Sequence, residues 1–363
     1  MCPTKCKNNK PFGLYIAKNK NLSFLYSKRR VFFNVGLMCN LQIETRNFLM
    51  EITEKELSLL KELKAKHIKR GESFEAHIQG AIYRDYINYW DYVGIDALLN
   101  LQKPETKHPD EMTFIIYHQI TELFFKLIIH ELEQVGFHKK LTPEFFTEKI
   151  SRVNYYFDYL EDSFKILMKG MSREQFMKFR NALTPASGFQ SIQFRLIELW
   201  STKFRNIVSA EYRNKFSDGS KIEDMYPFLY WKAGATDMET GKKKLTLIQF
   251  EDKYSKLILR KGNEFKERNL ASKYLSMSEK DRKNEELIAA LKRYDQHVNI
   301  LWPLTHYNNA TGYLVDKNKV AASTGGTNWR AYLPPKFQKQ SFFPCLWTKE
   351  EFEDWGKVFA ESL

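Results

Sequence analysis

The 363 residues contain no run of about 18 uncharged apolar positions, the length a membrane helix needs. The most apolar stretch, Phe114–Leu132, is interrupted by His118, Glu122, Lys126 and His130, so no membrane span is expected. Cysteine is scarce. Cys2, Cys6, Cys39 and Cys345 are too few for a disulfide scaffold and too far apart for a zinc ribbon, which fits a reducing cytoplasm. Also missing are Gly-x-Gly-x-x-Gly, a Walker loop, Gly-x-Ser-x-Gly and His-Glu-x-x-His, which removes nucleotide-cofactor, serine-hydrolase and zincin readings. Paired Glu-x-x-His motifs of a di-iron bundle are absent as well. Only Glu105–His108 has that spacing, and it lies between Pro104 and Pro109.

The composition, 43% hydrophobic and 28% charged, is that of a globular chain and not of a disordered, collagenous or coiled-coil one. The net charge of +13 suggests nucleic acid until it is located. Residues 1–49 hold nine Lys/Arg against the single acid Glu44, and so carry most of the excess. Elsewhere Lys and Arg alternate with Asp and Glu as on a solvated surface, and no basic stripe for a nucleic acid remains. The 1–49 segment reads either as a basic targeting leader or as upstream sequence ahead of a true start at Met50. Residues 50–363 read as one all-helical domain.

Helical periodicity dominates that domain. An amphipathic helix is expected over Lys55–Arg70, after a short lead that includes Thr53. From Asp110 a helix with an acidic first turn continues for some 25 residues, apolar on nearly every face, which predicts burial in the middle of a bundle. Further helices are expected at Pro143–Leu167, Ser172–Leu183, Ser191–Val208, Leu245–Glu267 and Ser278–Leu314. Strand-like stretches, Leu14–Ala17 and Arg30–Val35, fall only in the leader. The fold class is all-α, a large helix bundle.

Four constellations could carry chemistry. Phe114, His118 and Glu122 share a helix face, so His118 is either a core histidine satisfied by a backbone carbonyl or a hydrogen-bonding group beside a flat ligand. His306, within Trp302-Pro303-Leu304-Thr305-His306-Tyr307-Asn308-Asn309, is either a half-buried helix histidine or a single metal ligand. Arg180 precedes a break at Pro185 and a turn through Ser187-Gly188, and its planar fork suits a carboxylate. Ser323-Thr324-Gly325-Gly326-Thr327 is a loop where backbone can approach a small ligand.

In order, these segments resemble the heme-dependent tryptophan 2,3-dioxygenase family. The resemblance rests on Tyr89-x-x-Tyr92-x-x-x-Asp96, on Asp110-Glu111-x-x-Phe114-Ile115-Ile116-x-His118-Gln119-x-x-Glu122, on Phe179-Arg180 with Ala186-Ser187-Gly188-Phe189-Gln190-Ser191-x-Gln193-Phe194-Arg195-x-x-Glu198, and on His306 followed by Thr324-Gly325-Gly326. It implies an all-α bundle enclosing a b-type heme, with His306 as the proximal iron ligand and O2 as co-substrate. It implies His118 as the catalytic residue on the distal side, near the indole N–H. Substrate contacts would come from Phe114, Phe176, Ser187, Arg180 at the carboxylate, and Thr324 at the amino-acid end. Tyr89 and Tyr92 would reach a neighbouring subunit's site in a homotetramer. The implied reaction opens the indole C2–C3 bond of L-tryptophan with O2 to give N-formyl-L-kynurenine, in tryptophan catabolism by the kynurenine pathway. The alternatives are a same-fold heme oxygenase for another aromatic amino acid or substituted indole, and a non-catalytic heme-binding protein. Three departures stand out. Phe176 occupies a position where the family often has tyrosine, Pro303 one where it commonly has arginine, and Thr327-Asn328-Trp329 ends a loop that usually closes on glycine.

Overall fold

The computed structural model describes residues 52–83, 87–237, 240–316, 319–321 and 329–357. The leader 1–49 with its two strand-like stretches, and Thr324 with the glycine loop around it, lie outside the described residues. The chain divides into two units at residue 86. The first contains α1 (Glu54–Lys69) and α2 (Phe74–Tyr83). A capping box starts α1: Thr53 Oγ1 accepts from the Glu56 amide, and the Thr53 amide donates back to the Glu56 carboxylate at 2.7 Å.

Among its described residues the second unit is all-α apart from a two-residue antiparallel ladder pairing Val315 with Val320 and Asp316 with Lys319 and two isolated bridges, Val208 to Leu229 and Thr236 to Lys243. Its elements are α3 (Tyr89–Val93), α4 (Ile95–Leu98), α5 (Asp110–Phe137), α6 (Pro143–Gly170), α7 (Arg173–Phe179), α8 (Ile192–Ser201), α9 (Leu245–Phe265), α10 (Leu270–Ser276), α11 (Glu285–Gln296) and α12 (Trp302–Leu314), with single helical turns between them. Hydroxyls set the starts of α6, α7 and α8, where Thr142, Ser172 and Ser191 accept from the amides of Phe145, Gln175 and Phe194.

The acidic start of α5 acts as a set of tethers. Glu111 is fully buried and accepts from the amides of Glu105 and Thr106, which ties down the proline-bounded loop. Asp110 accepts from the Ser172 amide at 2.7 Å, and its own amide donates to Gln175. These bonds fix the beginning of α7 against the beginning of α5.

Central burial of α5 is corrected by the structure. Phe125, Ile128, Leu132 and Val135 are buried, and α5 packs on α6 and α8. Ile116, Leu123 and Leu127 form a face left 40–49% exposed in the single chain, on the side away from α6 and α8. α5 is also the one helix among the described residues long and apolar enough to cross a membrane by length and composition, but its buried side is core to the bundle.

Two expected helices end early. The α7 segment tightens into a 3-10 turn over Arg180–Leu183. α8 stops at Ser201 because Thr202 turns extended and donates its hydroxyl to the Phe342 carbonyl at 2.6 Å. The expected Ser278–Leu314 helix is broken into α11, a π-turn over His297–Leu301, and α12 with Pro303 in its first turn. Pro303 has no amide proton for the ladder, and the wider π-turn falls just before it.

Candidate active site

Helices α5, α6, α7, α8 and α12, the turn around Gly188, and the segment Trp329–Gln340 enclose a cavity of about 540 Å³. That volume suits a sizeable organic ligand. Aromatic rings make up much of the wall, including Phe114, Tyr117, Phe125, Phe164, Phe176 and Phe194.

His118 is both a satisfied core histidine and a cavity residue. Its Nδ1–H donates to the Phe114 carbonyl at 2.7 Å; a carbonyl only accepts, so this fixes the tautomer and leaves Nε2 as an acceptor. The ring lies 4.1 Å from the Phe114 ring and 5.3 Å from Tyr117. Burial pushes its pKa below the usual range, against the opposing pull of the Phe114 carbonyl and the Glu122 charge. Gln193 holds Glu122, with its Nε2 donating to the Glu122 carbonyl at 2.7 Å and to the carboxylate at 2.8 Å.

His306 enters from α12. Phe164 and Trp302 flank it at 5.3 and 5.8 Å between ring centres. Burial drives its pKa down to about 4, with a smaller contribution from His118, so the imidazole is neutral near pH 7 and keeps a lone pair for a metal. A Cβ added to Gly188 would stand 3.9 Å from Nε2, so the glycine keeps the space before that nitrogen open. Among the described residues no cluster of three or more His, Cys, Asp or Glu could chelate a bare ion. One neutral imidazole facing a large apolar cavity fits a metal whose other ligands come from a macrocycle, and a heme asks for that donor.

Among the described residues the one Lys or Arg on the lining is Arg195, part of the Phe194-Arg195 motif. Its guanidinium stands over Phe194, Tyr230 and Trp231 at 4.9–5.7 Å and pairs with Glu198 at 3.2 Å. Tyr230 also donates its hydroxyl to Glu198. Complete burial pushes Glu198 up to about 7, despite the opposing pull of Arg195 and Tyr230. The acid groups of a macrocycle or of an amino acid would find a partner in Arg195.

The other expected residues divide. Phe114, Phe176 and Ser187 line the cavity with the two histidines. The Ser187 amide donates to Gln190 Oε1 at 2.9 Å, and Gln190 in turn donates to the Thr246 carbonyl, which braces the turn. Arg180 is buried but off the lining, with its guanidinium carbon 6.0 Å from the Phe176 ring. Tyr89 and Tyr92, 70% and 76% exposed, are outside the cavity of their own chain. Trp329 is buried, lines the cavity and packs 5.5 Å from Tyr307. The wall from Leu333 to Gln340 carried no signal in the sequence.

Residues 72–306 match the family model described as tryptophan 2,3-dioxygenase. Among relatives that carry that name, the protein of Ruegeria sp. (strain TM1040) is 41% identical over 118 residues, 32% of this chain and 42% of the relative. That of Bacillus anthracis is 38% identical over 120 residues, with the same shares. That of Dictyostelium discoideum is 36% identical over 145 residues, 37% of this chain and 36% of the relative. The chain thus spans about two fifths of the length of the curated relatives it matches. The family match covers both cavity histidines and ends on His306, and by it the chain belongs to the tryptophan 2,3-dioxygenase family.

Proposed function

We propose that this chain is a heme-dependent dioxygenase that inserts both atoms of O2 across the indole C2–C3 bond of L-tryptophan, giving N-formyl-L-kynurenine for tryptophan catabolism by the kynurenine pathway. The observation that carries the reading is one apolar cavity onto which two neutral imidazoles open, His118 with a committed Nδ1 and His306 with no side-chain hydrogen bond among the described residues. His306 would hold the iron of a b-type heme, and Arg195 would meet an acid group of the macrocycle. When bound, the heme supplies the redox chemistry that activates O2.

The chain's own residues bind, orient and exclude water. With Nδ1–H engaged by Phe114, His118 accepts the indole N–H through Nε2. Phe114 and Phe176 pack against the flat substrate, and Ser187 with Thr324 serves its polar end. Arg180 beside Phe176 takes the carboxylate. Tyr89 and Tyr92, exposed in the single chain, complete the site of a neighbouring subunit in a homotetramer. The apolar face of Ile116, Leu123 and Leu127 supports such an assembly. The protein works in the cytoplasm, and residues 1–49 are dispensable to it.

A second reading, the same chemistry on another aromatic amino acid or substituted indole, is favoured by two features. Phe176 offers no hydroxyl, and Arg180 is off the lining. Adding L-tryptophan aerobically to the ferrous heme-loaded protein tests both. Growth of N-formylkynurenine absorbance is expected. A shift of the heme spectrum without product would favour the second reading, and no response at all would leave a non-catalytic heme protein.

A further inference from the structure

Five histidines, His67, His77, His118, His130 and His306, sit inside helices of the described residues, and two of them turn a ring nitrogen back to the carbonyl four residues behind. His67 bonds the Leu63 carbonyl at 2.9 Å and His118 the Phe114 carbonyl at 2.7 Å. His306 makes no side-chain hydrogen bond among the described residues, to the Trp302 carbonyl or to anything else. A Cβ on Gly188 would stand 3.9 Å from its Nε2, so Nε2 is the ring nitrogen on the Gly188 side, and Nδ1 is the one left for a partner on the protein. One turn further along α12, Asn309 also borders the cavity, and its Oδ1 is buried without a hydrogen-bond partner. A buried amide oxygen left unpaired costs about 1–3 kcal/mol, so an acceptor in this position calls for a donor. Positions three apart share a helix face, and helical side chains lean toward the N-terminus, so Asn309 overlies the turn that carries His306.

We propose that Asn309 is the positioning residue for His306: its Oδ1 accepts the Nδ1–H of the imidazole once Nε2 serves as the iron ligand. This rests on the reading of His306 as the heme ligand. A ligating histidine almost always donates its second ring N–H, and that bond fixes the ring and makes it a stronger electron donor. Here the unpaired donor and the unpaired acceptor lie on adjacent turns of one helix. The partner also sets how electron-rich the ligand is, and so the redox balance of the bound heme.

The test uses the heme-loaded full chain with Asn309→Leu, close in size but without an acceptor, and Asn309→Asp, a stronger acceptor. Resonance Raman of the ferrous protein reads the iron–histidine stretch, and spectroelectrochemistry reads the midpoint potential. Asn309→Leu is expected to lower the stretch and raise the potential, and Asn309→Asp to move both the other way, with far-UV circular dichroism of both unchanged. If heme binds through His306 and neither variant moves either readout, the proposal is overturned. A change confined to KM for the indole substrate also overturns it, by turning Asn309 toward the substrate. A wild-type protein that takes up no heme, or a His306→Ala variant that keeps it with an unaltered spectrum, overturns the proposal together with the reading beneath it, and both are seen before Asn309 is touched.

Discussion

Glu198 is expected to make the stability of this protein fall as pH rises toward neutrality. Its carboxyl is 1% exposed, and burial lifts its pKa from the usual 4.5 to about 7. The folded state therefore holds the proton more tightly than the unfolded chain does. The stabilisation is complete below about pH 4.5 and is lost as pH rises through the folded value near 7. At about 1.36 kcal/mol per pH unit the displacement corresponds to about 3 kcal/mol. Glu198→Gln removes the titration and keeps an oxygen that can accept from Tyr230. Urea unfolding of wild type and variant at pH 5, 6, 7 and 8 isolates the effect, since every other group titrates alike in both. The stability difference between them should change by about 2–3 kcal/mol over that range, with wild type losing ground as pH rises. Parallel curves would mean that Arg195 and the Tyr230 hydroxyl keep Glu198 ionised in the fold, and the reasoning would fail.

Most helices were legible because their signals are local. Thr53, Thr142, Ser172 and Ser191 mark starts within three residues of the amides they cap, and the long periodic runs mark the bodies. The two histidines and Phe114 were legible for the same reason. What escaped depends on contacts distant in sequence. The wall at Leu333–Gln340 belongs to a segment held by Asp295, which accepts from Ser341, the amides of Phe342 and Phe343, and Trp347, some 46–52 residues away. Nothing near Gln340 announces that bond. The i, i+3 spacing of Arg195 and Glu198 does not tell a solvated pair from a buried one, and only burial to 5% and 1% marks them out, with Arg195 on the cavity lining and Glu198 paired to it. Arg180 looked the better carboxylate partner because it precedes a conspicuous Pro-Gly break. In the fold Arg180 starts a 3-10 turn beside Phe176, buried and off the lining, while Leu183 at the end of that turn is on it. The apolar face of α5 was misjudged because periodicity counts apolar residues without saying which neighbour covers them.

His306→Ala should abolish heme binding or grossly alter the Soret band, while His118→Ala should keep heme; the reverse pattern in absorbance spectra would exchange their roles. Gly136→Ala should destabilise the protein by about 1–3 kcal/mol or more in thermal unfolding, because the new Cβ would stand 2.3 Å from Trp200, which is pinned by stacking on Phe265 at 3.7 Å. Wild-type stability in that variant would show that α5 and α8 can move apart. The remaining prediction concerns how the site recognises an acid. Phe176 lines the cavity beside Arg180 but has no hydroxyl, and a hydrogen bond to a charged group contributes about 1.5–3 kcal/mol, or about 10- to 100-fold in preference. Phe176→Tyr should therefore raise kcat/KM for tryptophan relative to tryptamine, which lacks the carboxylate, and leave tryptamine nearly unchanged. Arg180→Leu should collapse that ratio if Arg180 is the cation that meets the carboxylate. Arg195→Leu should instead reduce heme retention, since its guanidinium lines the cavity among the rings of Phe194, Tyr230 and Trp231. An unchanged ratio in Arg180→Leu, with a collapse in Arg195→Leu at full heme occupancy, would move carboxylate recognition from the turn after α7 to α8.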